Sequence, residues 1–129
     1  MAARRIRIQA GKLSLLAELN ETQTAQEVWK ALPLQARGNR WGQEIYFPIP
    51  VQAELELPQA VVEPGDLAYW PPGRAFCIFF GPTPASQGGE CRPASPVTVI
   101  GRLLDEPETL VSVPDGASIV LEREEEPLS

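Results

Sequence analysis

Residues 74–81 read RAFCIFFG, and no other stretch limits the fold as strongly. Under the two-residue alternation of a strand, Phe76, Ile78 and Phe80 share one face and Cys77 and Phe79 share the other. Both faces are apolar, so the strand has to be covered on both sides. The first set is expected to line the inside of a barrel, and the second to lie against helix or loops. Each fully buried aromatic contributes ~2–3 kcal/mol from area alone, which makes this segment a folding centre.

The flanking sequence supplies partners for it. RRIRIQAG sets Ile6, Ile8 and Ala10 against Arg5, Arg7 and Gln9; after a turn at Gly11, KLSLLAEL places Leu13, Leu15, Ala17 and Leu19 on one face. This predicts an N-terminal hairpin. In NETQTAQEVWKALP the period lengthens, with Ala25, Val28, Trp29 and Leu32 at i, i+3, i+4, i+7. A helix of about three turns follows from that spacing. Thr22 or Thr24 caps it, Glu27 closes a Thr-x-x-Glu box with Thr24, and Pro33 ends it. Further strands are expected in RWGQEIYFPIP, in VVEPGDLAYW, in PVTVIGRLL and in SIVLERE, with AELEL as a short edge strand. The fold class is therefore mainly β: a closed antiparallel barrel of about eight strands plugged by one main α-helix. Residues 1–129 form one domain, with 122–129 expected as a frayed acidic tail.

Charge and composition narrow the function classes. The net charge is −6, with Arg4, Arg5, Arg7 and Lys12 at the start and nine acids against three arginines from Glu90 onward. An acidic chain without a broad basic stripe is not expected to bind nucleic acid, whose affinity comes largely from phosphate neutralisation. The early arginines read as a small anion patch or as a solvated edge strand. Apolar runs stay far short of the ~20 residues that span a bilayer, so no membrane partner is expected and the location is read as cytoplasmic. Cys77 reads as a small buried hydrophobe and Cys91 as part of a polar loop, unpaired in a reducing compartment. The chain contains no histidine. That removes Ser-His and Cys-His nucleophile systems and His-based metal sites, and no cofactor or metal is expected. GPTPASQGGE lacks phosphate-loop spacing, and Asp105, Glu106 and Glu108 lack the spacing of a calcium loop.

Two regions carry candidate chemistry. In RWGQEIYF, alternation puts Trp41, Gln43, Ile45 and Phe47 on a core face and Gly42, Glu44 and Tyr46 on the other. There Gly42 leaves room for an approaching group. Glu44 reads as an acid/base or as an anchor for a cationic ligand, with Tyr46 as hydrogen-bond partner. The structural alternative pairs Glu44 with Arg40 or with backbone amides. At the strand ends stand Tyr69 or Trp70, Arg74, and GPTP with Thr83. Small barrels bind ligands at their mouths. Arg40 and Arg74 are suited to a carboxylate or peptide carbonyl, or else lie over aromatic rings as surface cation–π contacts. The candidate ligand-binding set is Arg40, Glu44, Tyr46, Tyr69, Arg74 and Thr83.

Three segments together, NETQTAQEVWKALPL, NRWGQEIYFPIP and VEPGDLAYWPPGRAFCIFFGPTP, resemble the small cyclophilin-like family of bacterial and archaeal proteins of unassigned function. The resemblance runs from about Arg5 to Leu121. It is most specific at Trp41-Gly42 with Glu44-Ile45-Tyr46-Phe47, and from Gly65-Asp66 through Tyr69-Trp70-Pro71-Pro72-Gly73 to Phe80-Gly81. It implies an eight-stranded closed barrel capped by helix, with no settled activity. The Phe-His-Arg signature of the prolyl isomerases of that fold is missing. The expected function is a binding module whose rim cleft takes a small molecule or an extended peptide. The alternatives are an enzyme, as a divergent prolyl isomerase or a domain tied to amide chemistry, and a homodimer formed through an unpaired strand or apolar patch.

Overall fold

The computed structural model describes residues 4–124. Strands β1 (Arg4–Ala10) and β2 (Leu13–Leu19) form the N-terminal hairpin, followed by helix α1 (Gln23–Ala31). Then come β3 (Leu34–Arg37), β4 (Asn39–Arg40), β5 (Glu44–Pro48), β6 (Asp66–Trp70), β7 (Ala75–Phe79), β8 (Thr98–Leu103) and β9 (Ser118–Arg123). Short 3-10 turns occupy Pro71–Gly73 and Pro107–Ser112. All pairings are antiparallel, in the order β3-β9-β1-β2-β8-β6-β7-β5-β4.

The two ends of that order are neighbours in the chain. β3 pairs with β9 and β4 with β5, and only Gly38 separates β3 from β4. One bent segment, residues 34–40, thus closes the sheet into a barrel, and counting it as a single strand gives eight. Gly38 sits at the seam for want of space. A Cβ there would lie 2.7 Å from Ile45 Cγ2 on β5 and 3.0 Å from Ile119 Cγ1 on β9.

The interior is filled, not hollow. Ile6, Ile8, Leu15, Ile45, Phe47, Leu67, Tyr69, Phe76, Ile78, Ile100, Ile119 and Leu121 form one buried cluster. Phe47 and Phe76 stack with centroids 5.4 Å apart, across the β5–β7 register. α1 adds Ala25 and Val28 to the same cluster, and Leu32, just past its end, joins them. Its N-cap is Thr22, whose side chain accepts from the Ala25 N–H at 3.1 Å. No Thr24–Glu27 box forms, because Glu27 turns to Lys30 at 3.1 Å. A carboxylate from a distant segment replaces it: Glu56 accepts from the Gln23 and Thr24 N–H groups at 3.0 and 2.9 Å and from the Thr24 hydroxyl at 2.8 Å. These bonds hold its carboxyl below the usual range. Because they satisfy donors that a helix start leaves open, the 51–58 segment is tied to the helix.

β7 is buried at all five positions. Phe76 and Ile78 face the interior, while Ala75, Cys77 and Phe79 form a second cluster with Val62, Ala68, Cys91 and Val97 on the outside of the barrel wall. The cover on that side is loop, residues 82–97, and not helix.

Several local expectations are corrected. AELEL is not a strand: Glu56 is drawn to α1, Leu57 adopts a left-handed φ of 45°, and pairing there is reduced to a single Gln59–Val97 bridge. β1 is no edge strand, since it lies between β2 and β9. Its arginines are partnered: Arg7 binds Glu124 at 2.9 Å, Arg5 approaches Glu18 at 3.8 Å, and Arg4 stands over Trp29. Residues 122–124 are therefore anchored instead of frayed, and 125–129 lie outside the described residues. Cys91 is buried at 2% exposure, its loop folded over β7. The β3–β4 segment, LQARGNR, carried too short an alternation to be read as strand.

Phe79 tests the outer cluster. Truncation to Ala is expected to cost about 3–5 kcal/mol in urea denaturation, the penalty of a buried aromatic cavity. A loss under about 1 kcal/mol would mean that the loop does not cover the ring.

Candidate functional site

The turn before β5 is tight. Gly42 adopts φ 62°, the Trp41 N–H donates to Glu44 O at 3.0 Å, and the Gln43 N–H donates to Pro82 O at 2.9 Å. Gly42 leaves no room for a ligand; it leaves room for the chain itself, since a Cβ there would meet Thr83 Cα at 2.9 Å. β5 proper starts at Glu44, so strand alternation does not extend back to Trp41. Hence Trp41 stands half-exposed on the same side as Glu44 and Tyr46, while Ile45 and Phe47 point inward.

The covering loop is pinned along its length. The Thr83 hydroxyl donates to Arg92 O, and Ser86 Oγ accepts from the Thr83 and Arg92 N–H groups at 2.9 and 3.1 Å. The Cys91 thiol donates to Gly81 O at 3.0 Å, the Val62 N–H donates to Cys91 O at 2.9 Å, and Trp70 Nε1 donates to Ser95 Oγ at 2.6 Å. Between this loop and the outer face of β5, β7 and β6 remains a cavity of about 250 Å³. Trp41, Tyr46 and Trp70 wall it, Pro93, Ala94 and Val97 come from the loop, and Glu44 is its carboxyl group.

Glu44 is only 5% exposed and has no ion pair among the described residues. Among the described residues the hydrogen-bonding group that acts on it is the Cys77 thiol, diagonal to it across the β5–β7 register. That thiol lies 3.8 Å from Ala75 O as well and is a weak donor. Burial dominates and pushes the Glu44 carboxyl up from 4.5 to about 7, the thiol opposing it weakly. Burial, and after it the nearby carboxyl, likewise lifts Cys77 well above the usual thiol range, so it stays protonated and inert. Cys91 is pushed up to about 11 by the same cause.

The structure brings two of the six candidate residues, Glu44 and Tyr46, into one cavity and disperses the others. Arg40 lies over the Phe80 ring at 5.0 Å and donates to the carbonyls of Gly42, Val111 and Val113 at 3.1, 3.2 and 2.7 Å. It ties the 107–112 turn to the barrel and does not pair with Glu44. Tyr69 is fully buried inside the barrel, its hydroxyl donating to Val51 O at 2.6 Å. Arg74 is exposed on the turn after Pro71–Gly73, with a left-handed φ of 47°. Thr83 is a buried anchor of the loop. Trp41, expected on the core face, lines the cavity instead, and of the alternatives Tyr69 and Trp70 it is Trp70 that reaches it. Pro93, Ala94 and Val97 gave no signal, since only the folded loop brings them there.

A family model described as cyclophilin-like matches residues 4–122. The solution structure of the hypothetical protein AF2241 from Archaeoglobus fulgidus is similar, with 44% identity, a TM-score of 0.80 and 95% of each chain covered. No curated protein matches the chain.

The raised Glu44 value makes stability fall with pH. Below about pH 4.5 the group is protonated in folded and unfolded chains alike. From there to about pH 7 only the unfolded chain ionises; above 7 the folded chain ionises too, against its desolvation. The full loss is on the order of 3 kcal/mol. Glu44→Gln is therefore expected to gain about that much over the wild type at pH 8 and almost nothing at pH 4, read from urea midpoints. Equal differences at both pH values would mean that the carboxyl is solvated.

Proposed function

Because the chain belongs to the cyclophilin-like family, whose fold assigns no activity by itself, we propose from the site that it is a binding module for a small molecule. The ligand enters the cavity on the outer wall of the barrel, beneath the 82–97 loop, and not a mouth of the barrel. One observation carries this reading: Glu44 is buried without a cation or a strong donor, yet opens on a cavity walled by two tryptophans and a tyrosine. Burying an ionisable group without a partner weakens a fold, and such groups cluster at functional sites. Mostly apolar walls with a few polar groups are the usual composition of a ligand pocket. At about 250 Å³ the space is below the ~300–1,000 Å³ of drug-sized sites, which suits a small metabolite or one side chain of an extended peptide.

An enzymatic reading, as a divergent prolyl isomerase or in amide chemistry, draws on the same carboxyl. A group titrating near 7 is well placed to accept and return a proton. It has less support, because the guanidinium of Arg40 is engaged by three backbone carbonyls and a ring face. Arg74 stands on a separate turn.

Ala94 offers the test, since it is exposed and lines the opening. A set of small polar and aromatic compounds is screened by thermal shift against wild type and Ala94→Trp. Compounds that raise the wild-type Tm are expected to leave the variant unchanged, with no accompanying turnover of prolyl or amide substrates. Equal stabilisation of both proteins would place binding elsewhere, and turnover abolished by Glu44→Gln would favour the enzyme.

A further inference from the structure

The binding reading leaves the ligand's chemistry open, and the cavity's own groups narrow it. Among the described residues its lining holds one carboxyl, one phenol and two indoles, and no lysine or arginine. The aromatic groups Trp41, Tyr46 and Trp70 surround the rest of the space, and aromatic faces attract cations through their quadrupoles. Further negative charge stands close by. The Cys91 thiol in the covering loop feels Glu44, Asp66 and Glu63 together. Asp66 opens β6 and Glu63 stands in the turn before it, its N–H donating to the Asp66 carboxylate at 2.9 Å.

A divalent metal does not suit this lining, because calcium or magnesium requires several hard oxygen ligands and the described residues present a single carboxyl there. An anion would meet only acids. A strongly hydrated compact cation would lose its water against tryptophan. An alkylated ammonium loses little on entering an aromatic cage, and its charge is the one Glu44 lacks. The open groove beside the start of α1 is different: its carboxylate, Glu56, is already bonded to helix N–H groups.

Resting on the binding reading, we propose that the cavity takes a small organic ammonium ion, held among Trp41, Tyr46 and Trp70 with its charge answered by the Glu44 carboxylate. The bound cation favours the ionised carboxylate, so binding below neutrality releases a proton. The titratable groups around Glu44 are Cys77 on β7, Tyr46 on β5 and Cys91 in the loop; Asp66 at the start of β6 and Glu63 just before it act on Cys91. Burial raises Asp66 as well, with Glu63 adding to the effect and Arg102 opposing it. Of these, Glu44 is the group brought to about 7.

The test uses choline and its uncharged carbon isostere, 3,3-dimethylbutan-1-ol, titrated against the whole chain by tryptophan fluorescence. Choline does not titrate, so any pH dependence belongs to the protein. At pH 8 choline is expected to bind at least ~10-fold more tightly than the isostere. Between pH 5.5 and 8 its affinity is expected to rise roughly 30-fold, levelling above 7. Glu44→Gln is expected to remove both the preference for choline over the isostere and the pH dependence of choline binding. Trp41→Leu, a change in a half-exposed wall, is expected to weaken choline more than the isostere and gives a second route should the first variant not fold. Equal affinity for the two compounds, or choline binding that strengthens toward acid, would overturn the ammonium assignment. So would binding of neither compound, and the Ala94→Trp comparison then decides separately whether the cavity binds small molecules at all.

Discussion

The two-sided burial of β7 is the constraint on which the rest of this molecule depends. A barrel supplies cover on one side only, and here Phe76 and Ile78 take it. Ala75, Cys77 and Phe79 point the other way and would leave an aromatic ring in water without a second layer. The 82–97 loop is that layer. Its internal bonds through Thr83, Ser86 and Cys91, and its docking through Trp70 and Val62, give an irregular segment the rigidity of a structural element. Loops that carry function usually stand on a rigid scaffold; here the loop is itself one wall of the cavity.

That second layer has an electrostatic consequence. Covering the outer face of β7 also covers Glu44, at the start of the neighbouring strand and opposite Phe79 in register. The carboxyl is largely desolvated and opens only on the cavity, while Arg40 is committed to three carbonyls and Arg92 of the covering loop to Glu90 at 2.7 Å. The contrast with Glu56 is instructive. Both are single glutamates reaching out of irregular or terminal positions, but Glu56 receives three hydrogen bonds and is held low, whereas Glu44 receives one weak thiol and is pushed up. The first is used by the fold. The second is left available.

What was legible in the chain followed the reach of local periodicity. The alternation in β1, β2 and β7 and the helical spacing of Ala25, Val28 and Leu32 were readable because each element is long enough to repeat its pattern. The barrel was readable because β7 has no wet face. Glu44 and Tyr46 were identified from that same alternation, since β5 obeys it from Glu44 onward. Trp41 was lost where the strand stops and the positive φ of Gly42 turns the backbone. β3 and β4, four and two residues long, hold too little pattern to read, although they close the barrel. Tyr69 and Thr83 resemble site residues in sequence because a polar tip on a strand or loop looks the same whether it meets a ligand or a carbonyl. Both meet carbonyls. Arg40 is a similar case, its partners at 111 and 113 being some seventy residues away.

The desolvated carboxyl beneath the loop links the packing to the proposed site, and it can be observed directly. Carbon-13 labelling at glutamate followed by NMR titration reads the midpoint of the Glu44 side-chain carboxyl in the folded protein. A midpoint near 7, well separated from the other glutamates, is the expected result. A midpoint near 4.5 would mean that water reaches the group freely, and a covered outer face with an uncompensated carboxyl would then be contradicted.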